Sequence, residues 1–402
     1  MTTDFAATRA LFDLPAGMIY LDGNSLGPMP KAAAARVART VTEEWGQMLI
    51  TGWNRAGWME QPSRVGNRIA RLVGAEPGSV VMGDTLSIKV YQALASALEM
   101  NPGRRVILSD TGNFPSDLYM AEGLCRTLGQ GYSLKTVPPE DVAAAIDDTI
   151  AVTLITEVDY RTGRRHDMAD LTAKAHAAGA LAIWDLAHSA GALPVECARD
   201  RADFAVGCTY KYLNSGPGGP AFIYVAPRHA DRVRPALSGW LGHEAPFAFD
   251  LDYRPGHGIE RMRVGTPPVL QLAALEASLD IWDRVDMADL RAASLALTDQ
   301  FIAGVEAACP QRDSGLTLAT PRDHARRGSQ VSFRHPQGYA IMQALIARGV
   351  VGDFRAPDIL RFGFTPLFIG ADDVARAIAI IADVVQNGLW DRPEYKTRAR
   401  VT

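Results

Sequence analysis

Apolar residues recur at helical spacing over residues 31–49 (KAAAARVARTVTEEWGQML) and again over 62–75 (PSRVGNRIARLVGA), so the chain is expected to begin with helices. The pattern then alternates. SVVMG (79–83) reads as a buried strand, LSIKVYQALASALEM (86–100) as a helix, RRVILSD (104–110) as a strand, SDLYMAEGLCRTLG (116–129) as a helix and IAVTLITEVD (150–159) as a strand. A helix over 167–178, the strand ALAIWD (180–185), a short helical stretch, and two further strands, ADFAVGCT (202–209) and AFIYVA (221–226), come next. Strands separated by helices of this length predict an α/β fold: a mostly parallel sheet covered on both faces. Ligands in such sheets collect beyond the carboxyl ends of the strands.

Near Pro267 the pattern changes to one long helix, PPVLQLAALEASLDIWDRV (267–285). After it come SQVSF (329–333), a helix over 338–348, VVGDFR (350–355), ILRFGF (359–364) and a closing helix over 372–387. These predict a smaller α+β unit. The leading segment has no place inside the large sheet, so residues 51–280 are expected to form the large domain, and 1–50 with 281–402 the small one. The tail YKTRARV (395–401) reads as polar and frayed.

Composition narrows the class. The 402 residues carry 41 Lys+Arg against 45 Asp+Glu, a net charge of −4, with 48% hydrophobic and 21% charged residues. That balance suits a globular enzyme and excludes a basic nucleic-acid coat. The opening residues resemble neither a signal nor a transit peptide, and no run reaches the roughly 18 apolar residues of a membrane span. Cys125, Cys197, Cys208 and Cys309 are scattered without C-x-x-C spacing, against a zinc site or a disulfide framework. No metal is therefore expected, and the default compartment is the reducing cytoplasm.

The chemistry concentrates in WDLAHSAGALPV and the later YKYLNSGPGG. Asp185 ends an otherwise apolar strand, His188 lies three residues beyond it, and Lys211 stands between Tyr210 and Tyr212 after another strand. A lysine in aromatic surroundings suits an amine that forms a Schiff base, and a strand-end carboxylate suits a pyridinium nitrogen. Together they fit pyridoxal 5'-phosphate. A lone lysine in a polar loop is far more often merely solvated; here Asp185 and the glycine-rich turn outweigh that reading. His188 reads equally as a site residue or a satisfied helix-start histidine, and Asp185 is also placed to cap the helical stretch after it. Thr85, Leu86 and Ser87 stand between a strand and a helix start, where free N–H groups and the helix dipole favour a phosphate, although such residues are usually only caps. Phe114 reads equally as a ring-stacking or a core aromatic.

In order along nearly the whole chain, YLDGNSLGPMP, NFPSD, WDLAHSAGALPV, YKYLNSGPGG, GTPPVL and LRFGFTPL resemble kynureninase, a fold-type I PLP enzyme. DGNSLGP together with YKYLN is not shared by PLP enzymes generally. The resemblance implies hydrolysis of L-kynurenine to anthranilate and L-alanine, a place in tryptophan degradation and NAD biosynthesis, and a homodimer. It implies that Lys211 carries the cofactor, Asp185 faces its ring nitrogen, Phe114 stacks on it, and Tyr210 is a proton donor. Leu86, Ser87, Pro115, Ser116, Asp117, Thr156 and His188 would surround it. Trp240 and Thr266 would reach it from the neighbouring subunit. Arg361 would hold the substrate α-carboxylate, a task suited to a planar guanidinium. Asn24, Ser25, Gly265 and Trp53, or Trp58 in its place, would contact substrate. An apolar wall at Trp53 with Thr266 implies preference for kynurenine over its 3-hydroxy form, because the extra hydroxyl finds no partner. Competing readings are a class V aminotransferase, a cysteine desulfurase, for which no cysteine sits in an obvious mobile loop, and a non-catalytic PLP-binding protein. A Rossmann protein is disfavoured because no G-x-G-x-x-G comes after the first sheet strand.

Overall fold

The computed structural model describes residues 2–398. A two-residue strand, β1 (Ile19–Tyr20), precedes the seven strands of the main sheet: β2 (Val80–Met82), β3 (Val106–Asp110), β4 (Ser133–Val137), β5 (Ile150–Thr156), β6 (Leu181–Asp185), β7 (Phe204–Gly207) and β8 (Phe222–Val225). Their order is β2-β8-β7-β6-β5-β3-β4. Neighbours are parallel from β7 to β4, and β8 runs antiparallel to both β7 and β2.

Every residue of β2, β5, β7 and β8 is buried, as expected for strands covered on both faces. Alternation along the strands divides the core. Val81, Ile183, Val206 and Ile223 point to one face beneath the helix Leu86–Met100, while Trp184, Phe222 and Tyr224 pack on the other with Leu272 and Leu275. Burying each of these side chains contributes about 1.5–3 kcal/mol.

The C-terminal part holds four antiparallel strands in the order β12-β13-β10-β9: β9 (Thr317–Leu318), β10 (Gln330–Arg334), β12 (Asp353–Arg355) and β13 (Ile359–Gly363). The short β11 (Val350–Val351) pairs in parallel with β1, and the Gly363 N–H donates to Leu21 O at 2.7 Å. The chain start is thus tied to the C-terminal strands. Phe301 on the helix Met287–Ala308 packs its ring against Phe333, Phe362 and Phe364.

Besides short pieces such as the helix Phe5–Arg9, β1 and β9, three larger departures from the sequence expectation stand out. The helix Met287–Ala308 and the strand β4 are additional, and the helical stretch after Asp185 is absent. The first is alanine-rich, and alanine marks no face. β4 is a sheet edge whose residues remain partly exposed, so it lacks the apolar run of a covered strand. After Asp185 the chain makes successive tight turns, Ser189 N–H to Leu186 O and Ala192 N–H to Ser189 O, and Gly191 at φ +80° ends any helical course. The end of the YKTRARV tail lies outside the described residues.

Candidate active site

The carboxyl end of β6 places Asp185 between Thr156 of β5 and Val206 of β7 in register. Its Oδ1 accepts the Ala187 N–H at 2.8 Å, a two-residue turn of the Asx type rather than a helix cap. Burial raises this carboxyl to about 6, against the opposing pull of Lys211. Asp117, in the first turn of the helix Pro115–Leu128, is buried beside it. Burial, and then the Asp185 charge, push Asp117 well above the ordinary carboxylate range, and its Oδ2 has no hydrogen-bond partner. Thr156 Oγ1 donates to Val158 O at 3.3 Å.

Lys211 enters from the turn after β7. Thr209 Oγ1 braces that turn through Ser215 Oγ (2.8 Å) and Pro220 O (2.6 Å). The Gly27 N–H donates to Tyr210 O at 2.8 Å, and a Cβ on Gly27 would fall 2.3 Å from Lys211 O, so only glycine lets the N-terminal loop lie this close. Nζ of Lys211 is 3.0 Å from His188 Nε2 and lies 5.9 and 5.7 Å from the ring centres of Phe114 and Tyr210. Burial, then the Lys211 charge, hold His188 well below its ordinary pKa, which keeps the imidazole neutral; its buried Nδ1 is unpartnered. The neighbouring Cys208 and burial push the Tyr210 phenol up, so it retains its proton.

Two helices start side by side here. Ser87 Oγ, in the first turn of Leu86–Met100, is 2.8 Å from Ser116 Oγ, in the first turn of Pro115–Leu128. Neither Thr85 nor Phe114 caps its helix with a side-chain bond, so the first-turn N–H groups at Leu86, Ser87 and Ser116 remain available to an anion. A buried carboxylate facing a lysine, unpartnered polar atoms on Asp117 and His188, an aromatic face and two uncapped helix starts fit pyridoxal phosphate.

A second group lies on β12 and β13. Arg361 is 1% exposed. Its Nε donates to Asp353 Oδ1 (2.8 Å), Nη2 to Asp353 Oδ2 and to Ser25 Oγ (2.6 Å), and Nη1 to Tyr160 O (2.5 Å). Tyr160 meets Phe114 edge-on at 5.1 Å and thereby joins the two groups. Asn24 is fully buried against Gly363, with no hydrogen bond to either side-chain atom.

Trp53 lies 6.3 Å from Trp58 and 6.4 Å from Trp240, which continues to Phe247 at 5.8 Å. The Trp58 indole N–H is committed to Glu44 (3.2 Å). Gly265 and Thr266 line a narrow cleft with Asp84 and Pro62. Tyr160, Asp353 and Arg355 were not foreseen from sequence; their partners are distant along the chain, and no local motif marks them.

The Kynureninase C-terminal domain family model matches residues 290–381. Kynureninase of Pseudomonas fluorescens is 52% identical over 99% of this chain and 96% of its own length, and that of Burkholderia pseudomallei is 51% identical over the same shares. Among solved structures, a cysteine desulfurase from Thermococcus onnurineus superposes with a TM-score of 0.80 at 17% identity, covering 96% of this chain and 99% of its own. A C-DES mutant with glycine covalently linked to its PLP cofactor gives 0.78 at 18%, covering 93% and 99%. The fold is that of the fold-type I PLP-dependent enzymes.

Proposed function

The chain belongs to the kynureninase family, and from that premise we propose that it hydrolyses L-kynurenine to anthranilate and L-alanine. The observation that carries the reading is the convergence of Asp185, Lys211 and Phe114 at the sheet's carboxyl edge, with Arg361 joined to them through Tyr160. Pyridoxal phosphate is the cofactor, and when bound it supplies the electron sink next to the amino acid's α-carbon.

Asp185 would hold a negative charge against the ring nitrogen, and burial, which pushes Asp117 well above the ordinary carboxylate range, disfavours a second charge beside it. Phe114 would cover one face of the ring. Leu86, Ser87, Pro115 and Ser116 would hold the phosphate at two helix starts, and Thr156 and His188 would complete the shell. Neutral His188 leaves Lys211 free of a competing positive neighbour. Lys211 Nζ would take the α-proton as general base; water adds to the ketone carbon, which leaves as the carboxyl of anthranilate when its bond to the β-carbon breaks, and the Tyr210 phenol would donate a proton in that cleavage. Arg361 fixes the α-carboxylate, with Ser25 and Asn24 beside it.

The finer reading assigns Trp53, Trp240, Gly265 and Thr266 to a pocket completed by a second copy of the chain, in which the substrate's aromatic ring sits. Its support is that Trp53 packs on Trp240, that Leu241 beside Trp240 donates its N–H to Val264 O beside Gly265, and that Trp240, Phe247 and Phe249 are exposed. The wall of Trp53 with Thr266, and Gly265 alongside, offers an extra hydroxyl no partner and so favours kynurenine over 3-hydroxykynurenine. On this reading residues 51–280 form the cofactor-binding domain and 1–50 with 281–402 the smaller one, in a cytoplasmic homodimer serving tryptophan degradation and NAD biosynthesis. Among the described residues no helix is long and apolar enough to cross a membrane, and no cluster of metal-ligating side chains is present.

The experiment is direct. Purified holoenzyme should show visible cofactor absorbance and produce fluorescent anthranilate from L-kynurenine. A coloured protein that produces none refutes the activity. Equal or faster turnover of 3-hydroxykynurenine refutes the preference, and a monomeric mass by light scattering for the active species refutes the shared site.

A further inference from the structure

We propose that Asp353 is a positioning residue for substrate binding: it locks one edge of Arg361, so that the substrate carboxylate is received on the other edge, while Arg355 supplies the second cation that keeps this cluster positive. The inference rests on the assignment of Arg361 to the α-carboxylate and deepens it.

The antiparallel pairing of β12 with β13 sets Asp353 directly across from Arg361. Both side chains are buried, at 3% and 1% exposure. Asp353 takes the Nε–H and one Nη2–H of Arg361 in a fork, which fixes the guanidinium plane. A guanidinium has five N–H donors. Ser25 Oγ takes the second Nη2–H and Tyr160 O takes one Nη1–H, so the Nη1/Nη2 edge faces only neutral groups. An incoming carboxylate therefore meets one unclaimed Nη1–H and a hydroxyl that can turn aside. The Nε edge is closed to it.

The charge count points the same way. Asp353 alone would neutralise Arg361, and a neutral buried pair attracts an anion poorly. Arg355 adds a second cation: its Nη2 donates to Asp353 Oδ2 (2.6 Å) and to Ser25 Oγ (3.0 Å). Its Nε is buried and unpartnered. Asp22, the other carboxyl facing this cluster, is raised to about 8 by burial and then by Asp353, so it keeps its proton at neutral pH. Two guanidinium groups against one carboxylate leave a net positive charge for the substrate to neutralise. Ser25, shared by Asp353, Arg355 and Arg361, sits at the centre of the cluster.

The test uses holoenzyme with two ligands, L-kynurenine and its decarboxylated amine analogue, which has the same ring and ketone but no carboxylate. Asp353→Asn keeps the shape and removes the charge. It should raise KM for kynurenine about tenfold or more with kcat within about threefold, and leave the analogue's Kd within about twofold of wild type. Arg355→Gln should raise KM about fivefold with the same split between ligands. In an Arg361→Gln background, adding Asp353→Asn should have no further effect, because the two act as a unit. Equal weakening of both ligands would show a merely structural role, and an unchanged or lower KM would show that Asp353 repels the substrate; either overturns the proposal. If Asp353→Asn does not fold, Arg355→Gln and Ser25→Ala decide it by the same ligand comparison. Absence of anthranilate from the wild type would instead refute the functional reading.

Discussion

Two buried carboxylates stand at opposite edges of the main sheet, one ending β6 and the other just before the neighbouring β7, and they live in opposite circumstances. Asp203 lies just before β7, at its amino end. It accepts from Ala182 N–H (2.7 Å), His176 (2.8 Å), His229 (2.7 Å) and Arg228 (2.6 Å). Burial alone would raise it, but the bonds from His176 and His229 prevail and hold it well below the ordinary range. Asp185 ends β6 at the opposite edge. Its carboxylate accepts from the backbone at Ala187, and burial raises it to about 6. One carboxylate is satisfied and bolts helix, strand and loop together. The other has fewer partners, the Ala187 N–H and the neighbouring Asp117, and faces a lysine. The same residue type is thus placed for stability at one edge of the sheet and, on the proposed function, for chemistry at the other, and the number of partners distinguishes them.

That contrast breaks most visibly at Lys211. Lys211→Ala should lower anthranilate production by about 10²–10⁴-fold or more and abolish the absorbance band of the lysine-linked cofactor, with little change in thermal midpoint. Asp185→Asn should cost a comparable factor in kcat, again without destabilising the fold. Asp203→Asn should do the reverse. It should destabilise the protein by about 3–5 kcal/mol in denaturant titration, since it leaves His176, His229 and Arg228 around a neutral amide, while the folded fraction retains its specific activity. Loss of activity without loss of stability in Asp203→Asn would erase the distinction.

Acid sharpens it. A carboxyl depressed by folding, as in Asp203, contributes stability that is present above its unfolded pKa of about 4 and is lost as pH falls below that value. A carboxyl raised by folding, as in Asp185, has the opposite sign: its contribution is full below pH about 4 and is lost as pH rises through about 6. Wild-type stability should therefore fall more steeply on acidification than that of Asp203→Asn, and Asp185→Asn should flatten the loss of apoprotein stability between pH 4 and 6; urea midpoints across pH measure both. The smallest effect is expected at the phosphate cradle. Ser87→Ala removes one hydroxyl beside Ser116 and should weaken cofactor retention by about 1 kcal/mol, roughly fivefold in Kd by absorbance titration.

Much of this was legible in the chain. The alternation of strand and helix from Val80 to Val225 rests on apolar runs that only a doubly covered sheet explains. Asp185, His188 and Lys211 stand out because a charged residue closing an apolar strand and a lysine between two tyrosines are local anomalies. The helix Met287–Ala308 escaped notice because its alanines fit a helix without defining a face. Asp353, Arg355 and Tyr160 escaped for a different reason: nothing in VVGDFR or in the turn at Tyr160 differs from ordinary hairpin and loop sequence.

By itself the sequence determined the α/β architecture and singled out Lys211 and Asp185 as the pair proposed to meet the cofactor, because those depend on periodicity and on short-range chemical contrast. The tertiary structure alone decided which groups share a charge. Strand register sets Asp353 opposite Arg361, a loop more than 300 residues away in sequence brings Ser25 between them, and burial keeps a proton on Asp22. Hydrogen bonds and desolvation act over a few ångströms of space, and sequence separation carries no record of that distance.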